Sequence, residues 1–487
     1  MPLSHPACTE LHKNISYLEQ VLFHTDDLEQ QSVTVHGQEG ALLYIDSLVD
    51  QDMIQTNVLA PLYEKSDTDA HQMFSSLGSQ KQTDLHAAVD ALLEGHCILI
   101  IDGIREFFMF STEKLYNRST NEPENEAVVR GPHYGFIEQL PVNLNLVRRQ
   151  LESPSLVVKY YYVGRKARTK VAVLYVHDIA NTDLIERVEQ RIHAISSDMV
   201  LAPGFIEEFT EDSPFSLFPQ QLSTERPDRV VANLMEGRVA ILTDGSPVAL
   251  IAPVTFFSFY QSPDDYHGRW MISSFLRLIR MMSFIIAFTL PAVYIATISF
   301  HWAILPVELA HTVKKSLQNI PFPALVEAML LELIFEVLRE AGIRLPSRVG
   351  QTIGIVGGLV IGDAIVRAGL VSYTMIIVVS LTAISSFLVP SNEMSAAVRI
   401  LRFPLMIGAA LFGYIGIAFG LIILTIHLCK LESFGSPYFA PLAPFRPGDL
   451  KDVLIRFPLW ALRERPHDPR PQRLRQQYFS RSWKRRE

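Results

Sequence analysis

Met281-Met282-Ser283-Phe284-Ile285-Ile286-Ala287-Phe288-Thr289-Leu290-Pro291-Ala292-Val293-Tyr294-Ile295-Ala296-Thr297-Ile298-Ser299-Phe300 is a run of twenty residues without one Asp, Glu, Lys or Arg. A helix needs about 20 apolar residues to cross the hydrocarbon of a bilayer, so this stretch is long enough to span one. Pro291 interrupts it, which a membrane helix tolerates where neighbours satisfy the freed carbonyl. Before it, charged residues are frequent and mixed; after it come long stretches with almost none. Further apolar windows lie at 350–370, 373–390 and 404–427. The chain therefore divides near Arg280. We expect a soluble α/β N-terminal half followed by an all-α polytopic membrane domain over 266–435.

A fifth window, 320–338, carries Glu327, Glu332 and Glu336, then Arg339 and Glu340. A carboxylate at the bilayer centre costs about 2.5–3.5 kcal/mol on insertion scales. Three of them argue for a re-entrant helix, or one buried against protein, rather than a lipid-facing span. These groups form a vestibule or gating contact, or else an internal salt-bridge network that lets a polar helix sit in protein. Arg277 and Arg280 before the first span, and the basic tail from Arg463 onward, both favour the cytoplasmic side. Two flanks on one side require an even number of crossings, hence four spans and one non-crossing element. Arg339, Arg344, Arg348, Arg399 and Arg402 fit that count poorly.

Within 350–370, Gly350, Gly354, Gly358 and Gly362 recur every four residues, which sets them nearly on one helix face as in small-xxx-small packing. Two readings stay open. The face packs closely inside one protomer, or it packs around the axis of an oligomer with a pore at its centre. In the second case Gly354, Gly358 and Gly362 permit close approach, and Val356, Val360 and Ile361 supply an apolar constriction that gates by dewetting. Asp363 is then an intramembrane ionisable residue; its spacing from Arg367 also allows a local i, i+4 ion pair.

The N-terminal half contains a repeat. Glu94-Gly95-His96-Cys97-Ile98-Leu99-Ile100-Ile101-Asp102-Gly103 parallels Glu236-Gly237-Arg238-Val239-Ala240-Ile241-Leu242-Thr243-Asp244-Gly245. Each is an apolar strand ending in an Asp-Gly turn signal. Upstream, the strands 42–50 and 173–181 also match. Two related subdomains follow, at 32–112 and 156–265, with a segment 1–31 before them, a linker 113–155 between them and a basic tail 436–487 at the far end. That tail meets anionic lipid or is merely solvated. In the linker, Arg130, Arg148 and Arg149 join soluble domains across protomers or clamp them internally. Asp46, Asp50, Asp102 and Asp244 sit at strand ends, where Asp is commonly a turn residue for local reasons.

Several classes are disfavoured. No P-loop, dinucleotide fingerprint, HExxH or nucleophile elbow occurs. The three cysteines and fifteen histidines show no metal-ligand spacing. We expect no catalytic residue, cofactor, metal or nucleic-acid partner, and not an enzyme. The net charge of −8 combines an acidic soluble half with a basic tail.

The linker run Glu122-Pro123, Val128-Val129-Arg130-Gly131-Pro132, Gly135-Phe136-Ile137-Glu138, Asn143 and Leu146-Val147-Arg148-Arg149 resembles the signature of the GerA family of bacterial spore germination proteins. So do Phe218-Pro219-Gln220, Thr224-Glu225-Arg226-Pro227-Asp228, Pro321-Phe322-Pro323 and the run from Glu336 to Pro346. Gly354-Ile355-Val356-Gly357, the run 381–387 and Ser433-Phe434-Gly435-Ser436-Pro437-Tyr438 continue it. The resemblance spans roughly 32–466 and is to the A subunit of germinant receptors. It implies a multi-pass protein of the spore inner membrane, with its soluble half on the core side. Its implied partners are a transporter-like B subunit that binds the nutrient and a C-subunit lipoprotein. It further implies self-association into a ring of five that forms a nutrient-gated ion channel. A non-conducting scaffold and a transporter are the alternatives. His133-Tyr134 stands where the family usually has a basic–acidic pair, and Asp363 where a neutral polar residue is common.

Overall fold

The computed structural model describes residues 5–35, 37–64, 79–114, 122, 123, 125, 126, 128, 130–318, 320–344, 358, 360, 362–478, 480, 481 and 483. Gly354, Val356 and Ile361 lie outside them.

The N-terminal half is two copies of one α/β unit. The first contains α1 (Leu11–Val21), β1 (Leu28–Val35), β2 (Gln38–Ile45), β3 (Gln80–Gln82), α2 (Leu85–Leu93), β4 (His96–Ile101) and β5 (Phe107–Ser111). The second contains α3 (Leu140–Gln150), β6 (Leu156–Val163), β7 (Thr169–Val176), α4 (Thr182–Ala194), α5 (Pro203–Thr210), β8 (Leu222–Thr224), α6 (Pro227–Met235), β9 (Val239–Thr243) and β10 (Ala249–Ala252). Their sheets have the same antiparallel order, β1-β2-β4-β5-β3 and β6-β7-β9-β10-β8.

Period-2 alternation sends successive side chains to opposite faces, and both faces are apolar. Cys97, Leu99 and Ile101 enter one core, Ile98 and Ile100 another. In the second unit Val171, Val173 and Tyr175 pack towards α4 and α5, while Ala172, Leu174 and Val176 pack towards α3 and α6. The repeat read from the strands extends further upstream than 32 and 156. Asp102 Oδ1 accepts the Leu11 N–H at 3.0 Å, and Asp244 Oδ1 accepts the Leu140 N–H at 3.2 Å. Buried Asn14 and Asn143 make equivalent paired bonds to the backbone of Cys8 and Ile137. The helices α1 and α3 thus open the two repeats.

The C-terminal half is helical: α7 (Trp270–Phe300), α8 (Val307–Leu317), α9 (Ala324–Arg344), α10 (Tyr373–Phe387), α11 (Asn392–Phe412) and α12 (Tyr414–Lys430). Among the described residues, α7 and α11 are long and apolar enough to cross a membrane, and α10 and α12 are shorter apolar helices. α7 continues through Pro291. Its first turns bury Arg277 and Arg280, so the two arginines are not a solvated flank.

The window 404–427 is not one helix. Gly413 adopts φ +61° and ψ −140°, and α11 and α12 fold into an antiparallel hairpin around it. A Cβ on Gly408 would lie 3.5 Å from the Gly416 carbonyl oxygen, a closeness eight positions apart that the chain allows only if it reverses. Hydropathy cannot register this, because glycine is common in apolar helices and both arms are apolar. The helices alternate in direction. The far end of α7 meets the α10 start through Tyr294 and Thr374, 2.6 Å apart, and its last residues abut Gly413. α9 starts at that far end beside Ser372 and ends near Ser386, at the α/β side.

The second repeat and the helical half share one core, in which Phe256, Phe259 and Tyr260 pack with Met394, Leu428, Leu431 and Tyr438. The basic tail is folded. Gln472 N–H donates to the Ile179 carbonyl at 2.8 Å, Arg465 Nε to the Met235 carbonyl at 2.6 Å, and Arg473 pairs with Asp178 at 2.8 Å. Arg465 and Arg473 of the tail therefore bind the second α/β repeat.

Candidate functional site

Positions 327, 332, 336 and 339 step by five, four and three along α9. That spacing keeps them within reach of α10 and α11, which pack against it. Glu327 is fully buried and accepts the Ser372 N–H at 2.9 Å. Ser372 in turn caps α10, its hydroxyl accepting from Met375 N–H at 3.2 Å. Glu332 pairs with Arg402 at 2.5 Å, both almost wholly buried, and Glu336 pairs with Arg399 at 3.1 Å. Arg339 donates to Ser386 Oγ at 3.1 Å, and its guanidinium lies 4.5 Å from the centroid of the Phe387 ring.

The four residues thus form a ladder tying α9 to its two neighbours. Removing two charges from water costs several kcal/mol per ion, so such a pair adds little net stability while holding the helices in one register. Among the described residues, Glu327 Oε1, Glu332 Oε1 and Arg402 Nε and Nη2 have no hydrogen-bond partner, which leaves the ladder with unused polar capacity. Arg399 and Arg402, which lie between the apolar windows 373–390 and 404–427, fall on α11. Their i, i+3 spacing, matched to the i, i+4 spacing of Glu332 and Glu336 on an antiparallel helix, was the available signal.

The glycine-rich stretch behaves differently. Among the described residues, a Cβ at Gly358 or Gly362 would meet nothing within 4 Å. Val360 is 58% exposed. Asp363 forms the local pair with Arg367, at 2.8 Å, and both are exposed.

The linker arginines separate by role. Arg148, at the C-terminal end of α3, makes a bidentate pair with Asp27 of the first repeat at 2.7 Å to each oxygen, and both are essentially inaccessible. Thr25 Oγ1 joins them at 3.1 Å, and Asn145 donates to the Ser47 carbonyl at 2.8 Å. This clamp is internal. Arg149 likewise reaches Glu113, at 2.6 Å. Arg130 is exposed, and its N–H donates to Asp264 at 3.4 Å. Asp46 and Asp50 make local hydrogen bonds at their turn and cap, whereas Asp102 and Asp244 accept from distant helix N-termini.

Two junctions connect the halves. At the first, Asp265 binds Arg277 and Arg280, while Asp452 of the tail binds Arg277 at 3.0 Å and accepts from Tyr266 Oη at 2.6 Å. Burial pushes the Asp452 carboxyl up and the Arg277 charge beside it pulls it down. At the second, a cavity of about 310 Å³ lies between α5 and the first turn of α11, with Glu207, Arg229, Ser223 and Glu393 on its wall. Burial, then the Glu393 and Glu211 charges, raise the Glu207 carboxyl to about 8. Among the described residues no His, Cys, Asp or Glu cluster could hold a metal.

The sequence profile described as Bacillus/Clostridium GerA spore germination protein matches residues 16–468. Spore germination protein B1 of Bacillus subtilis (strain 168) is 40% identical over 472 residues, covering 95% of this chain and 98% of the relative. The uncharacterized membrane protein YfkQ of the same strain is 40% identical, covering 88% of this chain and 85% of the relative. A crystal structure of the N-terminal domain of the A subunit of the Bacillus megaterium spore germinant receptor GerK3 aligns with 52% of this chain and 98% of that domain. Its identity is 27% and its TM-score 0.42.

Proposed function

This chain belongs to the Bacillus/Clostridium GerA family of spore germination proteins, and from that premise we propose that it is the A subunit of a germinant receptor that oligomerises into a nutrient-gated ion channel. Its place is the spore inner membrane, with the α/β half on the core side. Its partners are a nutrient-binding, transporter-like B subunit and a C-subunit lipoprotein. In this reading the apolar helices α7, α10, α11 and α12 lie in the bilayer, and α9, held by its charged ladder, packs against them rather than facing lipid. The membrane-protein relative and the two long apolar helices support a membrane location.

The observation that carries the channel reading is the open glycine face. A side chain at Gly358 or Gly362 would meet no described atom of its own protomer within 4 Å, and Val360 beside them is exposed. Small residues in a spanning helix allow backbones to approach closely, and a ring of five copies would set this face around an axis. The ladder of Glu327, Glu332, Glu336 and Arg339 then holds α9 as a rigid support behind the pore helix.

Reconstitution into liposomes tests the reading. Discrete single-channel conductance is expected, with increased leak for Val360→Ala and impaired assembly or gating for Gly358→Leu. Silence with normal oligomers favours a scaffold; slow saturable flux favours a transporter. A single copy after gentle solubilisation would overturn the ring.

A further inference from the structure

The loop after α5 presents a phenylalanine to the outside. Ser216 N–H donates to the Ser213 carbonyl at 3.0 Å, closing a turn with Pro214 and Phe215 in its centre. Proline presets the backbone angle for the first central position. The buried Gln220 side chain braces the turn from beneath, accepting from Ser213 N–H at 2.9 Å and donating to its carbonyl at 2.8 Å. On this fixed turn Phe215 is 100% exposed, and Leu217 is also exposed. What marks an interaction site is contiguous exposed apolar surface rather than a single ring, and Phe215 and Leu217 are exposed together on this turn.

Its neighbours indicate the surroundings. Ser216 Oγ lies 3.0 Å from His427 Nε2, in the last turn of α12. Ile415, Phe419, Ile422, Ile423 and Ile426 line α12 above that histidine and are all exposed. The apolar stripe of α12 therefore continues, across the Ser216–His427 contact, into the turn carrying Phe215 and Leu217. Lys430 follows one turn later, suited to a headgroup phosphate. Asp212 beside the turn is paired with Arg191 at 2.5 Å and accepts the Phe434 N–H at 2.6 Å, so its charge is answered within the protein.

We propose that the 213–217 turn is a lipid-interface anchor: Phe215 and Leu217 enter the core-side leaflet beside the end of α12 and fix the second α/β repeat against the membrane surface. This rests on α12 lying in the bilayer, as proposed above. Aromatic residues favour this level of a membrane because an amphipathic or apolar ring is accommodated between headgroups and chains. The anchor gives the soluble half a second attachment, separate from the Arg277–Asp452 junction, so that motion of α12 reaches the α/β sheet through Ser216.

Site-directed spin labelling of the full chain in phosphatidylglycerol-containing liposomes tests it. Cys8 and Cys429 are replaced by Ser, and labels are placed at Phe215→Cys, Leu217→Cys, Ile423→Cys and Tyr162→Cys in separate samples. Labels at 215 and 217 should collide with oxygen more often than with a water-soluble nickel chelate. The label at exposed Tyr162, on the soluble half, should show the reverse. If 423 is oxygen-accessible while 215 and 217 behave like 162, the anchor is wrong and the membrane reading stands. If 423 is itself aqueous, the membrane reading fails. Shielding of 215 and 217 from both reagents means that a protein partner covers the turn, which also overturns the anchor.

Discussion

Arg148 and Asp27 show how one pair can hold two repeats together. Both are buried, and each satisfies the other bidentately, so removing one partner leaves an uncompensated charge. Breaking a buried pair in this way costs about 3–5 kcal/mol. Arg148→Ala or Asp27→Ala should lower the thermal midpoint of the detergent-solubilised chain and speed proteolysis between the repeats. The double change Arg148→Met with Asp27→Leu should recover much of the loss, which thermal unfolding would read. A second residue-scale effect concerns Glu207. Its carboxyl is raised from 4.5 to about 8, so the folded state holds a proton that the unfolded chain releases. That contribution is complete below 4.5 and is lost as pH rises through about 8, because the unfolded state then binds fewer protons than the folded one. Stability should therefore fall across this window, and Glu207→Gln should flatten the profile. An unchanged slope would remove Glu207 as its source.

At the scale of elements, the hairpin at Gly413 depends on close glycine contacts, whereas Gly358 and Gly362 make none with the described residues. A side chain at Gly416 would run into the Gly408 backbone, and one at Gly413 would sit 2.9 Å from His301 in a left-handed conformation. At Gly358 there is open space. Gly416→Val should therefore lower the thermal midpoint of the solubilised protomer, whereas Gly358→Val should leave it near wild type and act on oligomer size. Thermal unfolding with native mass measurement separates the two. The matching Glu-Gly and Asp-Gly pairs of the two sheets were legible because each glycine occupies the same unusual backbone region. φ is +88° and +94° at Gly95 and Gly237, and +83° at both Gly103 and Gly245. The helices α1 and α3 were not legible as repeat members, since their shared feature is a long-range cap from Asp102 and Asp244 rather than a common pattern.

For the whole molecule, the tail acts as a strap. It returns from α12, supplies Asp452 to Arg277 and Tyr266, and ends against the second repeat through Gln472 and Arg473. The contacts of this tail with the second repeat were not legible in sequence, because the acceptors it binds are backbone carbonyls and an aspartate far away in the chain. Asp452→Ala should leave Arg277 partly unpaired and loosen the α/β half from α7. Limited proteolysis near residues 262–270 should then accelerate while the helical half stays protected. Unchanged cleavage would show that Asp265 alone secures the junction.

The order of residues along this chain was enough to separate an α/β half from an apolar helical one, to reveal the doubled sheet and to point to the family. Those features are local: hydropathy over a window, alternation along a strand, a turn residue at a fixed offset. Folding in three dimensions decided which charges meet. Arg402 finds Glu332, Arg148 finds Asp27 and Arg277 finds Asp452 only because helices and sheets bring distant positions together. It also decided that the apolar stretch 404–427 reverses, since the cost of a left-handed glycine is set by its neighbours and not by its place in the sequence.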